Sequence, residues 1–143
     1  MRVYAVIDTN VIVSALLSRH SDSATSVIRQ YLLEGAITPL YNEEIFHEYM
    51  DVLHRPKLQL PSLQINEILN AISSSGIMLG RTRTDELFPD PKDIVFYEVA
   101  LSKEGAYLVT GNLKHFPKNP IVVTPAELLN ILRDMGKESL PKE

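Results

Sequence analysis

The chain has 143 residues, 45% of them hydrophobic and 22% charged, with a formal net charge of −4, and a chain of this size buries roughly two thirds of its unfolded surface as one domain. It contains no cysteine, which excludes a disulfide framework, a thiolate metal site and a cysteine nucleophile, and its acidic balance argues against a strongly basic nucleic-acid wrap while leaving a local basic rim open. The start lacks the series of a secretory signal and no apolar stretch approaches the roughly 20 residues that span a bilayer, so a cytoplasmic protein with no membrane partner is expected.

Val3 to Ile7 is an unbroken apolar run, the pattern of a strand buried on both faces at the centre of a parallel sheet. It ends in Asp8-Thr9-Asn10, and a helix begins near Val11. Short polar residues there either cap that helix or line the edge where open α/β sheets place their ligands. Ser23 or Asp22 caps a second helix through Leu33 that Gly35 stops. Ala36 to Leu40 reads as a strand, and Asn42 opens a helix through Ile45, Phe46, Tyr49, Val52 and Leu53 that Arg55-Pro56 ends. In that helix Glu48 follows Glu44 by four and precedes Asp51 by three, so it belongs to a solvated acidic face or is turned inward.

Pro61-Ser62 begins a helix closed by Ser75-Gly76, Ile77 to Leu79 is a third strand, and Arg81 to Pro89 is a loop. Asp90-Pro91-Lys92-Asp93 starts a helix expected to run to Glu104, with Asp90 as cap or ligand and Asp93 in the first turn. Tyr107 to Thr110 is a fourth strand, ending in Gly111-Asn112, and Ile121 to Val123 a fifth. Pro125 starts a helix to Gly136, whose Leu128, Leu129, Leu132 and Met135 serve the core or an interface. Residues 1–136 form one domain and 137–143 a polar tail. Strands alternating with helices specify an α/β fold with a parallel sheet covered on both faces.

On that frame the carboxylates of Asp8, Glu48 and Asp93 can converge at one sheet edge. Acids gathered in one cleft repel, and an all-oxygen donor set suits a hard divalent cation, Mg²⁺ or Mn²⁺. Positive charge to hold a polyanion beside them is available at Arg19, His20, Arg55, Lys57, Lys92, Lys114 and His115.

Val6-Ile7-Asp8-Thr9-Asn10, a helical Glu48 followed by Val52-Leu53-His54-Arg55, then Asp90-Pro91-Lys92-Asp93 and Tyr107-Leu108-Val109-Thr110-Gly111 resemble, in this order, the PIN-domain family. The likeness runs from residue 3 to about 133 and is strongest to the bacterial and archaeal branch described as toxin components of toxin–antitoxin systems. It implies a three-layer α/β/α sandwich around a mostly parallel five-stranded sheet, and a metal-dependent ribonuclease with Mg²⁺ or Mn²⁺ as cofactor, RNA as substrate, an antitoxin protein as partner and a homodimer as assembly. By position, Asp8, Glu48 and Asp93 are the catalytic acids, Asp8 and Asp93 the central metal ligands, and Thr9, Asn10 and Thr110 supporting polar groups. The family usually carries an aspartate after the Thr-Gly of the fourth strand, where this chain has Asn112. Its amide oxygen remains a possible ligand with one negative charge fewer, and Asp90 compensates if it points inward. Two other readings stand beside this one: a degenerate, non-catalytic PIN-like protein that binds RNA or a partner, and a phosphotransfer enzyme, which would need a second aspartate where Asn10 stands.

Overall fold

The computed structural model describes residues 2–139. The first apolar run forms β1 (Val3–Ile7), with Val3, Ala5, Val6 and Ile7 buried. It is the middle strand of a sheet completed by β2 (Ile37–Tyr41), β3 (Ile77–Met78), β4 (Tyr107–Val109) and β5 (Val122–Val123), in the order β3-β2-β1-β4-β5 with every pairing parallel. Its neighbours therefore come from distant parts of the chain. The register sets Ile7 beside Val109, and the next amide, that of Asp8, donates to the Val109 carbonyl at 2.9 Å. Asp8 and Thr110 thus leave the sheet side by side.

Six α-helices occur among the described residues: α1 (Thr9–Leu17), α2 (Ala24–Glu34), α3 (Glu43–Leu53), α4 (Ser62–Ser75), α5 (Ile94–Leu101) and α6 (Pro125–Ser139). The expected signals hold α2, where the Ser23 hydroxyl accepts from the Ser26 amide at 3.3 Å and Gly35 turns left-handed at φ 87°, as only glycine does without strain. Asn42 caps α3 by accepting from the Ile45 amide at 2.9 Å. Helix α5 lies against β1, β2 and β4, whereas α2 packs on α1, α4 and α6 and reaches β2. The result is an α/β fold with an all-parallel five-stranded sheet covered by helices. Leu128 and Leu132 of α6 are buried, with Leu129 and Met135 packed against the same core, so the apolar face of this helix serves the fold.

Three boundaries differ from expectation by about a helical turn, and strand ends differ by one residue. The helix expected from Asp90 to Glu104 is a 3-10 turn, Pro91–Asp93, followed by α5, which ends at Leu101. The Asp93 amide bonds back to the Asp90 carbonyl at 3.1 Å. Beyond α5 the Ser102 hydroxyl reaches the Gly80 carbonyl at 2.9 Å, and a left-handed Gly105 at φ 79° delivers the chain into β4. At the other end α6 continues past Gly136 to Ser139, and residues 140–143 of the expected tail lie outside the described residues. Short 3-10 turns at Pro56–Leu58 and Leu113–His115 were absent from the sequence pattern.

Helix α5 is buried on nearly all sides, including Glu98 at 6% exposure. The irregular stretch between β3 and the Pro91 turn exists to serve it. Arg81 donates to Glu98 at 2.8 Å and to both oxygens of Glu44 at 3.0 Å, and the Thr84 amide donates to the other Glu98 oxygen at 2.8 Å. Tyr97 donates to Glu86 at 2.6 Å, and Phe88 meets the edges of Tyr97 and Phe116. A buried carboxylate is tolerated only when its charge and lone pairs are met in this way.

Candidate active site

Asp8 occupies the cap position before α1 but its side chain makes no cap hydrogen bond. Its Oδ2 instead accepts from the Thr110 hydroxyl at 2.8 Å, across the β1–β4 junction. The capping reading of Asp8 is therefore replaced by one in which the carboxylate faces its neighbours at the sheet edge. Thr9, buried in the first turn of α1, donates its hydroxyl to Glu48 Oε2. That bond turns Glu48 away from the acidic face formed by Glu44, which pairs with Arg81, and Asp51, which pairs with Arg55 at 3.0 Å. Asn10 Oδ1 accepts from the Gly111 amide at 3.5 Å, tying α1 to the turn after β4.

Asp93 lies at the junction of the Pro91 turn and α5, with its side chain 17% exposed and its Oδ2 at 3.5 Å from His115 Nδ1. Asp90 behaves differently. It is exposed, and its Oδ1 caps the turn by accepting from the Lys92 amide at 3.0 Å, so the inward-pointing compensating ligand is not the arrangement found. Asn112 donates its backbone N–H to Thr110 Oγ1 at 3.0 Å, and its amide nitrogen meets His115 Nε2 at 3.0 Å.

The electrostatics bind these groups into one unit. Burial pushes the Asp8 carboxyl above its ordinary range, the Thr110 hydroxyl pulls it back, and the Glu48 charge raises it further. Burial and the charges of Asp8 and Asp90 push Asp93 up to about 6, against the opposing pull of His115. Buried Tyr49, whose hydroxyl donates to the Ile7 carbonyl at 2.5 Å, is raised well above the tyrosine range by burial and by Asp8 and Glu48. Sequence reasoning had Tyr49 as a core residue only, because its spacing on α3 is that of the apolar stripe. It is also coupled electrostatically to Asp8 and Glu48.

Among the described residues, no three His, Asp or Glu side chains are arranged closely enough to hold a metal ion between them. A small divalent cation does not require such a cage. Mg²⁺ characteristically binds one or two carboxylates and keeps several waters, and the carboxylate oxygens of Asp8 and Asp93 are donors of the kind it takes.

The basic residues are dispersed. His115 reaches Asp93 and so belongs to the acidic site rather than to its rim. Arg55 is engaged with Asp51, Lys57 lies in the Pro56 turn, and Lys92 contributes its backbone N–H to Asp90. Lys114 lines an open cleft of about 530 Å³ with Lys118, Phe116 and Pro117. Arg19 and His20 line another, of about 710 Å³, with Ser26, Arg29 and Glu67, and none of Asp8, Glu48 and Asp93 contributes to it.

Compared with known families, residues 4–114 match the one described as PIN domain, which is more than half of the chain. No curated protein and no solved structure matches.

Proposed function

The chain belongs to the PIN-domain family, whose members are generally nucleases, and from that premise we propose that it is a metal-dependent endoribonuclease acting on single-stranded or structured RNA. What supports this reading is the electrostatic coupling of Asp8, Glu48 and Asp93 at one end of the sheet, where burial and the charges of Asp8 and Asp90 raise Asp93 to about 6. A shift of that origin, in a group without a fixed cationic side chain of lysine or arginine beside it, is typical of a functional site.

Asp8 and Asp93 would hold Mg²⁺ or Mn²⁺, with the Asn112 amide oxygen as a weaker third donor and Asp90 as an outer charge. When bound, such an ion acidifies a water and offsets charge that grows on the phosphate oxygens. The protein's own groups do the rest. Thr110 fixes the rotation of Asp8 through Oδ2. Thr9 engages one oxygen of Glu48, leaving the other to orient the attacking water or take its proton. Arg19, His20, Arg55, Lys57, Lys92 and Lys114 supply charge for the RNA backbone at and beyond the site.

A cytoplasmic toxin of a toxin–antitoxin pair, working as a homodimer, is the biological setting that the motif order supports. The test is cleavage of a mixed single-stranded RNA pool with Mn²⁺, Mg²⁺ or EDTA. Cutting that needs the metal and falls at least about a hundredfold in both Asp8→Asn and Asp93→Asn is expected, since even supporting groups around a metal change activity 10- to 100-fold. Failure of the folded, unmodified chain to cut at any Mn²⁺ concentration turns the reading to a non-catalytic PIN-like binder of RNA or a partner, which Asn112, one charge short of the usual site, would explain.

A further inference from the structure

We propose that the open cleft beside β5 is the subsite for the unpaired nucleotide that flanks the scissile phosphate. Lys114 and Lys118 meet its backbone there, and the apolar surface of Leu113, Pro117 and Val122 meets its sugar and base. The proposal rests on the ribonuclease reading above and deepens it, because it names unpaired RNA rather than duplex as the substrate class.

The cleft holds about 530 Å³, within the roughly 300–1,000 Å³ of sites that take small molecules. No acid lines it, and its polar side chains are those of Lys114, Lys118 and Asn119. Both lysines are exposed, and neither forms an ion pair among the described residues. Arg29 and Arg55, by contrast, are engaged by Glu67 and Asp51. The walls are built in advance of any ligand. Phe116 is buried behind them with its ring edge-on to Phe88. Asn119 donates its amide N–H to the Tyr97 hydroxyl oxygen at 3.0 Å and accepts from the Ile121 amide at 3.0 Å, which ties the segment before β5 to α5. Val122 belongs to the last strand of the sheet, so no further strand covers it. The cleft and the acidic site share a wall. In the 3-10 turn Leu113–His115 successive side chains stand about 120° apart. His115 reaches Asp93 Oδ2 at 3.5 Å, whereas Leu113 and Lys114 of the same turn line the cleft. An RNA strand with its scissile phosphate at the acidic site therefore finds the cleft on the far side of this turn. Within a duplex the base faces are stacked on one another, so apolar walls beside two lysines suit a strand whose bases are free.

The test is binding of a short, fluorescein-labelled single-stranded RNA in EDTA, where no cutting intrudes, read by anisotropy across a series of salt concentrations. K114Q/K118Q removes both charges and should make the slope of log affinity against log salt shallower by about 1.4, the counterion release of two phosphate contacts on a single strand. Lys103 supplies the control, because it lies over the Tyr4 ring, 4.3 Å from its centroid, towards the amino end of β1. K103Q should leave the slope unchanged, and an equal change there would overturn the proposal. Leu113→Ser should weaken the single strand about fourfold, the scale of one buried methylene, and leave the same RNA annealed to its complement unaffected. Leu113, Lys114 and Lys118 are exposed, so these variants should keep the melting temperature of the unmodified chain. Duplex bound as tightly as single strand, or an unchanged slope in K114Q/K118Q, would overturn the proposal while cleavage by the unmodified chain keeps the nuclease reading. Lysine-dependent binding by a chain that never cuts would keep the cleft and remove catalysis alone. Absence of RNA binding by the folded chain would overturn both.

Discussion

Asp8 and Glu98 are each 6% exposed, yet burial leaves them in opposite states. Glu98 also pays the desolvation cost that pushes a carboxyl up, but the Thr84 amide and the Arg81 guanidinium more than offset it and hold Glu98 below its usual range. Asp8 has a hydroxyl and a backbone N–H for partners and Glu48 for a neighbour, and it is raised. Depth in the protein therefore does not set the direction in which a buried acid shifts; the sign of what surrounds it does. The Arg81 centre is closed, with its charge met from within the chain. The Asp8–Asp93 centre is left short of positive charge, which costs stability and, on the function proposed above, is where a cation would be held.

The largest expected effect is on the closed centre. Arg81→Ala leaves Glu98 buried without its cation and should lower stability by about 2–3 kcal/mol in urea unfolding, below the full cost of breaking a buried pair because Arg81 is partly solvated. Asp93→Asn, measured in EDTA, should cost nothing or raise the melting temperature. A greater loss in Asp93→Asn than in Arg81→Ala would undo the contrast. Next in size, Mn²⁺ at ten times its dissociation constant should add about 1.4 kcal/mol to the unmodified protein and to Arg81→Ala, visible as a rise of a few degrees in thermal melts, and nothing to Asp8→Asn or Asp93→Asn.

The smallest effect is the sharpest in sign. Asp93 has an ordinary value of 3.8 and a folded value of about 6, so the folded state holds the extra proton. Its stabilising contribution is complete below 3.8 and is lost as pH rises through about 6. Glu98 runs the other way: its contribution is present above the ordinary 4.5 and disappears as pH falls through its lowered value. In metal-free melts across pH 3–8, Asp93→Asn should flatten the decline on the neutral side, by about 1 kcal/mol or less given solvent screening, and Glu98→Gln should flatten the decline on the acid side.

The open centre was the more legible of the two in the sequence. Asp8 follows an apolar run that could only be a central strand, and Asp93 follows a proline start, so the alternation of elements carried both to one edge. Glu48 was legible as a candidate but not as an inward residue, because its orientation is decided by Thr9, 39 residues away. The closed centre left no trace. Arg81, Thr84 and Glu86 sit in a stretch with no periodicity, and their partners on α5 lie up to 17 residues distant. Asp90-Pro91 marked the right start and the wrong helix, since capping residues fix where a helix can begin but not whether its first turn is tight. His115 was read by charge alone, whereas its contact with Asn112 depends on a 3-10 turn too short to leave a pattern.

The bond from Thr110 to Asp8 spans 102 residues, and β1 is flanked in the sheet by β2, made soon after it, and by β4, made much later. At about 5–20 residues per second of synthesis, the first strand and its aspartate wait some seconds on the ribosome before the segment that completes them has emerged. A nascent chain interrupted before Thr110 holds Asp8, Glu48 and even Asp93 without the junction that orients them. On the proposed function, the order of translation itself would delay activity until the segment carrying Thr110 has emerged and paired with β1.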